Sequence, residues 1–212
     1  MNLNSHYTVE INEEAFIVNS TLTAPKTAVV RYFDKDGDEY FSRKYGVVEP
    51  SYIYKKINNG SEVDLSGCYI HGFSLSEYRK KNDIDDVTKV SIQQVNAAGA
   101  FFDSSSIIDF SMAIFEKDTN FTDTHFGKGT VSFHKSAFKG LVSFSKAYFG
   151  KGDADFQFTD FGNCDVTFEE SKFHFGNVIF VNCIFGNGTT NFKKVTFYFA
   201  RILAFYKFKA IR

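Results

Sequence analysis

The chain has 212 residues with 24 basic and 25 acidic side chains, a formal charge of −1. It is long enough for one extended domain or two small ones. The charge balance excludes the dense basic field that a nucleic-acid binder needs to displace counterions, and it weighs, less strongly, against an acidic mimic of nucleic acid. Phe is the outlier of the composition, with 27 Phe, no Trp and 2 Pro, an excess that points to a repeated structural slot.

The opening residues MNLNSHYTVEINEEAF show no basic region followed by an apolar run, so no signal peptide is expected. Cys68, Cys164 and Cys183 are sparse and form no CxxC pair, which suits a reducing compartment and a cytoplasmic location and gives neither a disulfide framework nor a zinc site. Within residues 1–60, Tyr7–Ile11 and Ala15–Val18 have the composition of short strands. Val29–Phe33 and Glu39–Phe41 flank Asp36-Gly37, a hairpin turn signal. This segment is expected to be a small antiparallel β module or an N-terminal cap. Asp34-Lys35-Asp36-Gly37-Asp38 has the start of an EF-hand loop but no closing Glu, and is expected to be a hairpin tip.

From 61 to 200 the pattern changes. Val63-Asp64-Leu65-Ser66-Gly67, Cys68-Tyr69-Ile70-His71-Gly72 and Phe73-Ser74-Leu75-Ser76-Glu77 repeat every five residues. The charged stretch 79–89 then interrupts them as a surface loop or short helix. Beyond it lies a ladder of Phe at 110, 115, 121, 126, 133, 138, 144, 149, 156, 161, 168, 173, 180, 185, 192 and 197, with steps of five alternating with steps of six or seven. Neither a helical period nor a strand period produces such steps; a chain that turns a corner at every Phe does. From Phe115 on, the residue two before each Phe is small or β-branched, as at Ala113, Thr124, Ser136, Thr159 and Val178. Each repeat therefore points one large and one small residue inward, the pairing that fills a narrow coil to core density.

These repeats resemble the pentapeptide-repeat family, with its A-(D/N)-L-x-x motif: residues 63–77 have its plain form and 100–197 a Phe-rich variant with lengthened alternate repeats. The resemblance implies an all-β protein built on a right-handed quadrilateral parallel β-helix. Four steps here make 23 or 24 residues against the family's usual 20, so the section is expected to be oblong. The lengthened corners carry glycines at 127, 129, 150, 152, 162, 186 and 188, which are expected to adopt positive φ where the corner bulges. The domains expected are an N-terminal β module or cap over 1–60, the β-helix over 61–200, and a basic aromatic tail or C-terminal cap over 201–212.

No nucleophile motif, phosphate-cradling loop or dinucleotide fingerprint is present. The acids Asp155, Asp160, Asp165, Glu169 and Glu170 gather with no basic cluster, so no enzyme and no cofactor is expected. Gly150-Lys151-Gly152-Asp153 resembles a calcium-binding nonapeptide, but the Asp does not recur in the equivalent stretches and no metal is expected. His6, His71, His125, His134 and His174 are scattered and read as solvated surface residues.

If every fourth corner stacks, the sides can be compared. The side following Phe110, Phe133, Phe156 and Phe180 exposes Met112, Ile114, Phe158, Val181 and Ile184. The side following Phe121, Phe144, Phe168 and Phe192 is nearly all polar. The apolar side is therefore the expected protein-contact face, toward either a second subunit or the N-terminal module. The function expected is that of a non-enzymatic scaffold for protein–protein interaction, including self-association, in a bacterial cytoplasm. One alternative is the DNA mimicry by which some members of the resembled family occupy topoisomerase. Residues 100–200 hold 11 acidic and 9 basic side chains, a near-neutral rod that suits this poorly. A second alternative is membrane contact through the tail, which mixes Arg201, Lys207, Lys209 and Arg212 with Phe199, Ile202, Leu203, Phe205 and Phe208.

Overall fold

The computed structural model describes residues 6–203. From Val63 onward the chain winds into a parallel β-solenoid with four faces. Face 1 stacks Val63–Asp64, Val95–Asn96, Thr119–Asn120, Val142–Ser143, Val166–Thr167 and Thr190–Asn191. Face 2 stacks Cys68–His71, Phe101–Asp103, His125–Phe126, Tyr148–Phe149, Lys172–Phe173 and Thr196–Phe197. Face 3 stacks Ile107–Asp109, Thr130–Ser132, Ala154–Asp155, Asn177–Ile179 and Arg201–Leu203. Face 4 stacks Val90–Ile92, Ala113–Phe115 and Ala137–Phe138, continued by single bridges at Asp160 and Ile184.

The Phe residues form one ladder inside each face. Phe110, Phe133, Phe156 and Phe180 line face 3 with centroids 4.9–5.3 Å apart and rings within 5° of parallel. Phe121, Phe144, Phe168 and Phe192 stack likewise inside face 1 at 4.9–5.2 Å. Across the axis these two ladders meet edge to face, as in Phe133–Phe144 at 79° and Phe168–Phe180 at 90°, the arrangement the ring quadrupole favours. Phe138, Phe161 and Phe185 are buried; Phe192 is half-buried and Phe197 is 37 % exposed, because they belong to the last described coil. Most small slots are buried beside the rings, and two of their threonines bond to the coil below. Thr124 Oγ1 donates to Ala97 O at 2.7 Å and Thr159 Oγ1 to Phe133 O at 2.8 Å.

The corners between faces 1 and 2, and between faces 3 and 4, are tight and place the residue two after each Phe in the left-handed region. Met112, Asp123, Lys135, Lys146, Phe158, Glu170, Asn182 and Lys194 all have φ of 55–58°. The residue before the Phe satisfies these turns with its side chain. Asn120 Oδ1 accepts from Thr122 N at 3.0 Å, and Asp155 Oδ1 from Gln157 N at 2.9 Å, the local Asx bonding that replaces ladder bonds where a strand ends.

The wide corners differ from expectation. Of the glycines expected at positive φ, only Gly162 has it. The others are needed because successive coils approach too closely for a side chain: a Cβ on Gly150 would overlap the carbonyl oxygen of Gly127. Positive φ is carried instead by the non-glycine residues of the tight corners.

The N-terminal segment forms β1 (His6–Asn12), β2 (Phe16–Ile17), β3 (Thr23–Ala24), β4 (Thr27–Phe33) and β5 (Glu39–Val47). Strands β1, β4 and β5 make an antiparallel sheet, turned at Asp34–Asp38. The end of β5 runs into the solenoid, pairing Gly46 and Val47 in parallel with Cys68 and Tyr69. A helix absent from the expected elements, α1 (Pro50–Asn58), follows; Pro begins its first turn, where the missing N–H costs nothing. It buries Ile53, Tyr54 and Ile57 against Val63, Leu65 and Phe73 at the start of the solenoid core. A second helix, α2 (Leu75–Lys81), capped by Ser74 accepting from Glu77 N at 3.2 Å, interrupts the first coil between faces 3 and 4. Residues 204–212, most of the expected tail, lie outside the described residues.

Phe156 is fully buried between Phe133 and Phe180. Phe156→Ala is expected to lower stability by about 3–5 kcal/mol, and Phe197→Ala by less than half as much, both read from urea denaturation midpoints.

Candidate binding surfaces

The outward residues of face 2 stack as the inward ones do. Tyr69, Phe101, His125 and Tyr148 occupy one column, with Phe101–His125 at 4.5 Å and 9°, and His125–Tyr148 at 4.4 Å and 29°. The sheet of β1, β4 and β5 lies over this column, and Tyr7, Ala28, Val30, Tyr32 and Tyr45 form a second core with Tyr69 and Phe101. The rings meet at steep angles, Tyr7–Phe101 at 72° and Tyr45–Phe101 at 70°. The Asp103 carboxylate anchors the seam, accepting from Tyr7 Oη at 2.5 Å and Tyr69 Oη at 3.3 Å. Burial, followed by the bond to Asp103, raises the Tyr7 phenol far above its ordinary value. Gly127 makes room for this seam, since a Cβ there would collide with Tyr7 Oη.

The N-terminal module therefore docks on the side expected to be nearly all polar, the one following Phe121 and Phe144, and not on the apolar side. A signal for this column is present in the sequence. The residue immediately before Phe102, Phe126 and Phe149 is Phe101, His125 and Tyr148, an aromatic where faces 1 and 3, Ile179 apart, carry turn-capping Asn, Asp, Ser or Thr.

The expectation of five solvated histidines also needs correction. His174 is 3 % exposed. The His125 ring is covered by Phe101, Tyr148, Tyr7 and Tyr32. Its Nδ1 lies 3.4 Å from Tyr32 Oη, and its Nε2 has no hydrogen-bond partner among the described residues. Burial, with the Arg43 guanidinium as a second cause, pushes its pKa down to about 3.

Beside the seam lies a cleft of about 340 Å³. One wall is the β5 side with Tyr40, Phe41, Arg43 and Tyr45, together with Tyr32; the other is the solenoid with Asp123, His125, Lys146, Tyr148 and Lys172. Arg43 is held by Asp123 at 3.5 Å and lies 5.1 Å over the Tyr45 ring.

The residues named for a contact face sit at the corner between faces 3 and 4, where they form two groups. Met112 and Phe158 occupy the same left-handed corner position two coils apart, with Lys135 between them. Phe158 N donates to Val181 O at 2.9 Å, so Phe158 and Val181 are neighbours, and Ile184 follows on face 4. Ile114 shares the face 4 column with Ile184 but is separated from it by Ala137 and Asp160. Phe158 and Ile184 are 47 % and 37 % exposed. Met112 is half-buried beside α2, where Arg79 donates to Ser111 O at 3.0 Å. On the last coil Tyr198, Phe199 and Ile202 are exposed, and Phe199 stacks on Phe175 at 5.2 Å.

Among the described residues no cluster of His, Cys, Asp and Glu is placed to hold a metal ion, and no helix is long and apolar enough to cross a membrane. The thiols of Cys68 and Cys183 are buried, which pushes both pKa values up to about 12 and keeps them protonated and unreactive.

A four-faced parallel stack with an inward ring at each bend and a small residue beside it defines a β-solenoid of the pentapeptide type. A family model described as pentapeptide repeats (9 copies) matches residues 105–147, so this stretch of the solenoid carries pentapeptide repeats. No curated protein and no solved structure was found to match it.

The depressed His125 pKa has a measurable consequence. An unfolded His titrates near 6.5, so between about pH 6.5 and 3 the unfolded chain holds a proton that the folded chain does not. The stability is complete above this window and falls as pH drops through it. His125→Phe, which retains a ring in the stack, is expected to lose about 1–2 kcal/mol less than the wild type between pH 7 and pH 5, measured by urea denaturation at the two pH values.

Proposed function

We propose that the chain is a non-enzymatic scaffold that contacts another protein through the corner carrying Phe158, Val181 and Ile184. The observation that carries this reading is the position of Phe158. Its left-handed backbone, φ 57°, strains a bulky side chain, and its ring is 47 % exposed, so core burial does not offset that strain. At the equivalent solenoid positions the residues are Gly67, Gly99, Asp123, Lys135, Lys146, Glu170, Asn182 and Lys194, glycine or polar, apart from Met112 on this same column. The fold asks only for a turn here; the ring is extra. Exposed aromatics beside aliphatic neighbours are the usual anchors of protein interfaces.

A bacterial cytoplasmic setting goes with this reading through the family. Mimicry of DNA is supported less well, because Glu116, Glu169 and Glu170 are each paired with a lysine, Lys139, Lys193 and Lys194, which neutralises the acids that a mimic would need to display.

The test pairs Phe158→Glu with Ile184→Glu. Glu170 already holds the same left-handed conformation at another corner, so the change is expected to shift the melting temperature by less than about 4 °C. Light scattering and a photo-crosslinker placed at Ser111 read association with a second copy or another protein. The double variant is expected to lose the higher mass or the crosslinked product seen with the wild type. Equal mass and equal crosslinking in the two proteins would overturn the reading.

A further inference from the structure

The cleft between β5 and face 2 is set apart by how its charges are arranged. On other parts of the solenoid surface several lysines are answered by a carboxylate: Lys117 by Glu62 at 3.1 Å, Lys139 by Glu116 at 2.7 Å and Lys194 by Glu170 at 3.1 Å. Lys146 and Lys172 open onto the cleft and form no ion pair among the described residues. Glu170, at the equivalent corner of the next coil, feels the charge of Lys146 but is held directly by Lys194 at 3.1 Å. Arg43 adds a third cation, and Asp123, which it contacts, is the single acid of the lining. The same space is walled by rings, with Tyr32, Tyr45, His125 and Tyr148 behind and Tyr40 and Phe41 at the mouth.

We propose that this cleft binds a small planar organic anion, an aromatic ring bearing a phosphate or carboxylate group. Its volume, about 340 Å³, is at the lower end of small-molecule sites and suits one ring system with one anionic group. The ring lies against the aromatic walls, where stacking and edge contacts are favourable. The anionic group takes Lys146 and Lys172, neither of which is held in an ion pair among the described residues, with Arg43 as a further donor. Arg43 is shared with Asp123, so an incoming anion competes for it. The covered His125 ring carries no charge near neutral pH and serves as an apolar wall. This site is distinct from the Phe158 corner, and neither depends on the other.

The probes are phenyl phosphate and benzoate, with benzyl alcohol supplying the ring without the charge and inorganic phosphate the charge without the ring. Saturation-transfer NMR and titration calorimetry on the full chain are expected to show phenyl phosphate or benzoate binding at least tenfold more tightly than either control. Lys146→Ser with Lys172→Ser is expected to weaken that binding at least tenfold, while the melting temperature moves by less than about 4 °C. Phe41→Ser, an exposed residue of β5, is expected to weaken the ring probes without altering any phosphate signal. No saturable binding at millimolar probe, equal binding of benzyl alcohol, or undiminished binding by the lysine variant would each overturn the proposal.

Discussion

Parallel strands in a ladder are spaced by about 4.8 Å, and aromatic rings stack offset at about the same separation. In this protein the two distances are one constraint. Within the four ladders each Phe after the first stands on the Phe of the coil before it, at 4.5 to 5.7 Å, while the backbone above it closes its hydrogen bonds. Neither set of contacts can shift without the other. A ring displaced by one residue would leave its ladder and place a polar neighbour in the core. The corners, the small slots and the close glycines all follow from keeping rings and backbone in step.

That constraint is also why the solenoid is legible in the amino-acid sequence. The steps between Phe residues determine which ring stands on which, and the stacks Phe110–Phe133–Phe156–Phe180 and Phe121–Phe144–Phe168–Phe192 fall where that spacing puts them. The glycines mislead because flexibility and lack of bulk look alike in a sequence. Gly150 is required by a neighbouring carbonyl, not by its own dihedral. Helix α1 escapes notice because nine residues with three buried apolar side chains give too short a pattern to outweigh the strands around it. The docking of the N-terminal sheet is hidden because outward-facing aromatics are informative only once the covering element is known. His125 reads as polar in a sequence and behaves as an apolar ring once Phe101 and Tyr148 enclose it.

The candidate surfaces differ in how they arise from the fold. At the Phe158 corner the backbone demands a left-handed conformation, and the ring there packs on His134 at 5.7 Å while staying 47 % exposed. At the cleft the N-terminal sheet supplies one wall and the solenoid the other. The repeat supplies a regular array of positions and the appended sheet makes one stretch of it singular. The lysines on that stretch, Lys146 and Lys172, line the cleft together with its aromatic walls.

The seam on face 2 has a mechanical meaning as well. A solenoid transmits contacts only between adjacent turns, and a free stack of this kind can open at any rung. Here the sheet of β1, β4 and β5 spans the column Tyr69, Phe101, His125 and Tyr148, so it works as a splint across successive turns and makes them yield together. The sheet's ring contacts fall on the earlier turns, at Tyr69, Phe101 and His125. The stack is thus braced unevenly, with the sheet laid across its earlier turns.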